Sequence, residues 1–150
     1  AGKRTLRRMR QGGTMLFDIE LFDRAACTRE EKAGVLALID LMLDMAEQAR
    51  REGLLTLESR PVPDELCRWG ISMIVKGMSP EKITERMLTR ILAEGRRGCA
   101  LLEGMIVIDG LMMVQSGTNP SEVYQKLTFY LGTDSDLADM WREGDELCME

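Results

Sequence analysis

Apolar residues recur every three or four positions along most of the chain, and glycine or proline separates one such stretch from the next. This spacing predicts a series of amphipathic helices, because it places the apolar side chains on one helix face. The longest predicted helix runs from Thr28, which forms a capping-box pattern with Glu31, to about Glu52. Gly53 suits the conformation that ends a helix, although the pattern also allows the helix to run on through Leu57.

Further helices are predicted downstream, the last of them short and acidic; the others cover about 63–77, 80–94, 98–116 and 120–131. Segment 98–116 is apolar on every side, which predicts a central, buried helix. Its apolar run carries Glu103 and Asp109 and is shorter than the ~20 residues that a bilayer requires. We therefore expect no transmembrane helix.

Two stretches of the chain, 70–91 and 110–131, share one pattern without a gap. Each has a helix, a glycine that stops it, a Ser-Pro or Asn-Pro pair that starts the next helix, and an apolar stripe. The turn residues are Gly77, Ser79 and Pro80 in the first copy and Gly117, Asn119 and Pro120 in the second. Ser or Asn before a proline is typical of a helix N-terminus. We predict two similar helical corners, although turn chemistry repeated by chance would explain part of the pattern.

The composition adds one point to this picture, because it disfavours a β-sheet. Of the 150 residues, 45% are hydrophobic but only 5% are aromatic, and 12 are methionine. Unbranched side chains favour helices, whereas sheets favour β-branched and aromatic residues. The prediction is an all-α protein: a basic flexible arm over 1–14, then a single domain over 15–150, a compact bundle of about five to six helices.

Charge is distributed unevenly. Five of the 20 basic residues precede position 11 and no acid precedes Asp18, so the rest of the chain is strongly acidic although the net charge is only −5. An acidic body argues against a nucleic-acid partner, because phosphate contacts dominate that affinity. The basic arm is expected to be a solvated, partly disordered terminus; contact with anionic lipid or RNA is the alternative. No signal-peptide pattern follows the arm.

The sequence offers no catalytic or metal-binding pattern. It has no histidine, and its four cysteines (Cys27, Cys67, Cys99 and Cys148) lie far apart, so we expect free thiols, no metal and no cofactor. Nucleophile elbow, P-loop and dinucleotide fingerprint are all missing from the sequence. Paired acids such as those at 30–31 are explained by helix capping. The prediction is a protein that is not an enzyme.

The run Ala-Arg-Arg-Glu-Gly-Leu-Leu-Thr-Leu-Glu at 49–58 resembles the start of the large cytoplasmic segment of the MotA family. This family provides the ion-driven stator subunit of the bacterial flagellar motor. Gly-Met-Ser-Pro-Glu at 77–81 is similar to the helix restart that follows in the family. The segment 102–131 is similar to the family's cytoplasmic tail, and the resemblance covers about 33–131.

One departure from the family is large. The family places two membrane helices between these segments and two before them, whereas residues 89–97 here join the two soluble parts directly. The resemblance therefore implies the cytoplasmic part of a stator subunit, at the inner face of the cell membrane, without its ion channel. Such a chain would not conduct ions by itself.

The resemblance also implies a partner-binding site. In the family, an arginine and a glutamate of this motif act on charged residues of the rotor switch protein, and these positions fall on Arg50 and Glu58, with Arg51 beside them. Eight residues apart, Arg50 and Glu58 would share a face if the helix continued through Gly53. Ordinary solvated charges are the simpler interpretation of both. The other alternative is a helical scaffold or homo-oligomerising adaptor unrelated to motility and chemotaxis.

Overall fold

A computed structural model of the chain describes residues 17–148, with side chains for residues 17–142. Within that range the chain forms eight α-helices and two 3₁₀ helices, with no β-strand. The all-α prediction is confirmed, with slightly more helices than expected, and the basic arm lies outside the described residues. The α-helices are α1 (Ile19–Arg24), α2 (Arg29–Ala33), α3 (Leu36–Glu52), α4 (Glu65–Val75), α5 (Pro80–Ala93), α6 (Gly98–Ser116), α7 (Pro120–Thr128) and α8 (Asp136–Cys148).

The predicted helix from Thr28 to Glu52 is in fact two helices. The capping box forms as expected: the Thr28 hydroxyl accepts from the Glu31 amide at 3.2 Å, and the Glu31 carboxylate accepts from the Thr28 amide. The chain then turns at Gly34 and Val35 before α3 begins. Val35 is completely buried, so burial of this side chain accompanies the bend between α2 and α3.

Helix α6 lies at the centre, in contact with α1, α3, α4, α5 and α7. The prediction of a central, buried helix is confirmed, since most of its residues are buried. Among the described residues, α6 is also the one helix long and apolar enough to cross a membrane, and 67% of its apolar window is covered by the other helices. A core helix of a helical domain has the same composition and burial.

The two corners have the same geometry. Gly77 and Gly117 adopt left-handed conformations, with φ of 78° and 74°. In each corner the amide of the residue after the glycine donates to the carbonyl of a methionine five residues earlier, Met73 or Met113, at 3.1 and 3.0 Å. This is the Schellman arrangement that ends a helix. The predicted repeat of turn chemistry is therefore present.

Each corner then starts its second helix in the predicted way. The Ser79 hydroxyl accepts from the Lys82 amide, and the Asn119 side chain accepts from the Ser121 amide. Both prolines occupy the first helical turn. The apolar stripes are buried in one core; they consist of Ile83, Met87 and Ile91 in α5 and of Val123 and Leu127 in α7, with Leu131 beyond it.

Two helix boundaries differ from expectation. Helix α4 begins at Glu65 with the Asp64 carboxylate as its cap, so Pro63 precedes the first turn. Helix α7 ends at Thr128, and residues Phe129–Asp134 form a 3₁₀ helix that replaces the predicted continuation to 131. Lys32 of α2 donates to the Leu131 carbonyl and pairs with Asp134, so contacts from a distant helix fix this segment.

Candidate functional site

The motif 49–58 forms a corner rather than a continuous helix. Helix α3 ends at Glu52, Gly53 has a φ of 95°, and Leu54–Ser59 form the first 3₁₀ helix. Arg50 therefore lies in the last turn of α3 and Glu58 near the end of the 3₁₀ helix. The condition under which they would share one face of a continuous helix is not met, because the helix stops between them.

Polar side chains hold this corner in place. The Gln48 amide donates to the carbonyl and hydroxyl of Thr56 at 3.3 and 3.2 Å. Arg60 donates to the Gln48 side-chain oxygen at 2.8 Å and pairs with Asp44 at 2.9 Å. Leu57 anchors the 3₁₀ helix from the other side, because its side chain is completely buried. The corner is thus tied to α3 by both polar and apolar contacts.

The corner presents Arg50, Arg51, Leu55 and Glu58 to solvent, and we name these four residues the corner surface. Arg50 and Glu58 form no ion pair or side-chain hydrogen bond with any side chain between residues 17 and 142. Arg51 reaches Glu47, one turn earlier, at 3.9 Å. Leu55 is 71% exposed. The surface therefore combines both signs of charge with one apolar side chain.

The sequence predicts the charged residues of this surface, but it does not predict the residues that hold the corner in place. Gln48, Thr56 and Arg60 carry no motif, and their contacts depend on the turn at Gly53. The exposure of Leu55 cannot be predicted from the sequence either, since it is one of several leucines in an apolar run. Only the break after Glu52, indicated by Gly53, points to a corner.

A cavity of about 420 Å³ lies between α3, α7 and Arg142 of α8, and Asp44 and Glu47 of α3 belong to its lining. Asp44 and Glu47 line one side, and Tyr124 lies opposite with the Arg142 guanidinium 4.3 Å from its ring centre. Burial raises the pKa of Tyr124 above its ordinary value, so the phenol is protonated at neutral pH. The lining of the cavity offers polar contacts to a ligand; its Ser121 hydroxyl donates to the Asn119 side-chain oxygen at 3.1 Å.

The Asp109 side chain is a charged group buried within the core. The Asp109 carboxylate on α6 accepts from the Tyr130 hydroxyl at 2.7 Å and lies 3.3 Å from the Lys126 ammonium group. Burial raises the pKa of Tyr130, with the neighbouring Asp109 charge as the second cause. These contacts satisfy the carboxylate and join α6 to the segment after α7, so the cluster has a structural explanation.

The thiols are also poorly suited to catalysis. Cys27, Cys67 and Cys99 are free, and burial raises all three pKa values, to about 12 for Cys67 and about 11 for Cys99. The thiolate is the reactive form, so these thiols are weak nucleophiles at neutral pH. Among the described residues, no three His, Cys, Asp or Glu side chains converge to hold a metal ion.

The corner surface therefore remains the candidate interaction site, and its chemistry suits protein contacts. Comparison of the chain with models of protein families, with curated proteins and with solved structures finds no match. The resemblance of residues 33–131 to the MotA family stays a prediction.

Proposed function

We propose that this chain is a non-enzymatic protein-interaction module of the stator kind, which contacts a rotor switch protein through the corner surface. The observation that carries the proposal is the exposure of Arg50 and Glu58 on a corner held in place by Gln48 and Arg60. Neither charge pairs with a side chain between residues 17 and 142, so both are available to a partner. The resemblance of the 49–58 motif supplies the identity of that partner.

The energetics of such a contact suit a motor. A single exposed ion pair contributes about 0–1 kcal/mol and weakens with salt, so a contact made from a few of them forms and releases quickly. Complementary charges also speed the encounter between partners. The rigid corner reduces the ordering cost of binding, because the backbone does not have to be fixed on contact.

The proposed place of action is the cytoplasmic face of the cell membrane, where a stator meets its rotor. Ion conduction is not part of the proposal, because the apolar helix α6 is engaged in the core. The basic arm of residues 1–14 adds a cationic segment that would suit anionic lipid headgroups.

The test is binding of the full chain to the C-terminal domain of a rotor switch protein at low ionic strength. Arg50→Glu combined with Glu58→Lys should weaken binding about tenfold, because two attractive contacts become repulsive. A matched control reverses Arg97 and Asp23, which are exposed and make no ion pair among the described side chains. The control should bind like the wild type. No binding by the wild type at low salt would overturn the proposal.

A homo-oligomerising scaffold is the second candidate, and exposed apolar side chains favour it. Ile19 and Phe129 are 74% and 78% exposed, and Phe22 of α1 stacks on Tyr130, next to Phe129, with ring centres 5.7 Å apart. These residues bring apolar surface from two parts of the chain together. Light scattering would decide: a dimer that Phe129→Ser converts to a monomer supports the scaffold, and a concentration-independent monomer rejects it.

A further inference from the structure

Helices α4 and α5 leave a groove of about 460 Å³ between them. Its apolar part comes from Trp69, Met73, Met87 and Ala93, and its cations come from Lys76, Arg86 and Arg90. Ser72 and Thr89 complete the lining. We name this site the basic groove.

The basic groove has an excess of positive charge in a chain with a net charge of −5. None of its lining residues is acidic. Lys76 and Arg86 form no ion pair with any carboxylate between residues 17 and 142, whereas Arg90 pairs with Glu94 at 2.6 Å. Arg90 also lies over the Trp69 ring, 3.7 Å from its centre. Within the described part of the chain these two cations have no carboxylate partner, which leaves them available to an external anion.

We propose that the basic groove binds an acidic amphipathic helix of a partner protein. Apolar side chains of that helix would lie against Trp69 and Met73, and its carboxylates would pair with Lys76 and Arg86. Amphipathic helices bind in this way to apolar grooves between helices. Repulsion by the same cations would exclude basic helices.

The shape of the groove favours a helix over a membrane surface. A flat bilayer would meet mainly the cationic rim. A helix, roughly 10 Å in diameter with its side chains, would lie along the groove and also bring apolar side chains against Trp69 and Met73. On α5 the lining runs from Arg86 to Ala93, roughly 10 Å along the axis, which corresponds to about two turns of a bound helix.

Such a short contact needs a defined pattern in the partner. Two apolar residues three or four positions apart would face the floor, because this spacing places them on one helix face. Acidic residues beside them would face Lys76 and Arg86. The corner surface carries both signs of charge, so the two sites would select different partner segments.

The test is selection from a displayed library of helical peptides in which two apolar positions are fixed and the flanking positions vary among acidic, neutral and basic residues. The bait is the 150-residue chain. Enriched peptides should be acidic, and a synthetic copy of one should bind with an affinity that falls as salt rises. Enrichment of neutral or basic peptides, or of none, would overturn the proposal.

Variants of the groove residues show whether the selected peptide binds there. Lys76→Glu with Arg86→Glu should weaken the peptide at least about tenfold, and Thr89→Trp should block the groove without changing charge. Lys82→Glu with Arg97→Glu is the matched control, since both residues are exposed and lie outside the lining. Thermal unfolding of each variant shows that it remains folded. Equal binding by the groove variants and the control would contradict the proposal.

Two further experiments distinguish peptide binding in the basic groove from lipid binding and from binding at the corner surface. Vesicles of phosphatidylcholine with phosphatidylserine should bind no better to the wild type than to the Lys76→Glu, Arg86→Glu variant; a clear preference for the wild type would instead indicate a lipid site and overturn the proposal. Arg50→Glu with Glu58→Lys should leave peptide binding unchanged. Failure at the corner surface and failure at the basic groove are thereby distinguished.

Discussion

The Tyr130 hydroxyl donates a 2.7 Å hydrogen bond to the Asp109 carboxylate, and this contact joins the most buried helix to the irregular segment that follows α7. Asp109 is one of two acidic residues in the mainly apolar helix α6, and it is 3% exposed. A carboxylate at such a position requires partners, because an unsatisfied buried polar group is costly.

Asp109→Ala should lower the free energy of unfolding by about 2 kcal/mol, because it leaves the Tyr130 hydroxyl and the Lys126 ammonium group without their acceptor. Tyr130→Phe should cost less, about 1 kcal/mol, since Lys126 still lies near the carboxylate. Urea unfolding followed by circular dichroism measures both. A stability unchanged by Asp109→Ala would show that the cluster contributes nothing.

Acid should release the C-terminal helix before the rest of the domain unfolds. Hydrogen bonds from Lys32 and Arg29 hold the pKa of Asp134 below its ordinary value, and Arg29 does the same for Asp136. A lowered carboxylate pKa stabilises the folded state at neutral pH. The stabilisation is lost as the pH falls below the ordinary aspartate range and through the folded-state values.

The Trp141 indole reports this step, because it donates from α8 to the Asp40 carboxylate of α3. Its NMR signal should shift during acid titration at a pH where signals of α6 are unchanged. Arg29→Ala with Lys32→Ala should move the transition to higher pH or abolish it. Simultaneous loss of all signals would contradict a separate release of α8.

The helices pack so closely at Gly70 and Gly110 that a side chain at either position should destabilise the fold. A methyl group at Gly70 would lie 2.3 Å from a Leu111 methyl carbon, and one at Gly110 would lie 2.7 Å from the Met42 side chain. Either alanine substitution should cost about 1–3 kcal/mol through overpacking, despite the better helix propensity of alanine.

Gly104 provides the matched control, since a methyl group there would lie 3.2 Å from the Ile91 side chain. Gly104→Ala should be nearly neutral, because the gain in helix propensity of up to about 1 kcal/mol offsets a small adjustment. Thermal unfolding of the three variants checks the order. Equal stability of all three would reject close packing at the first two glycines.

The thiols should react with iodoacetamide in a fixed order. Cys67 is completely buried with a pKa of about 12, so it should remain unmodified in the folded protein at pH 7.5. Cys99 is partly buried with a pKa of about 11, and its rate should rise steadily with pH up to that value. Mass spectrometry of peptides from a Cys148→Ser background measures each rate. Rapid labelling of Cys67 at neutral pH would contradict this order.

The sequence predicted what short-range chemistry determines. The Thr28 cap, the stop at Gly53 and both Pro-containing corners depend on neighbours within five residues, and all of them form. The buried stripe of α5 was predicted because its period matches the helix.

The predictions of helix boundaries are wrong where contacts between distant residues determine the local structure. The bend at Gly34 accompanies the burial of Val35, and the 3₁₀ segment after α7 is held by Lys32, about a hundred positions earlier. At the candidate site, the exposed charges were predicted, whereas the Gln48 and Arg60 contacts that fix the corner require the fold. Periodicity and capping patterns carry no information about such pairs.

The apolar character of α6 also has a consequence for synthesis. A helix of this composition, emerging alone, would be prone to aggregation or to insertion into a membrane. Its position in the chain reduces this hazard, because four of the helices that contact it, α1, α3, α4 and α5, are made before it. Because of this order, helices that can cover the apolar side chains of α6 are already present when the synthesis of α6 is complete.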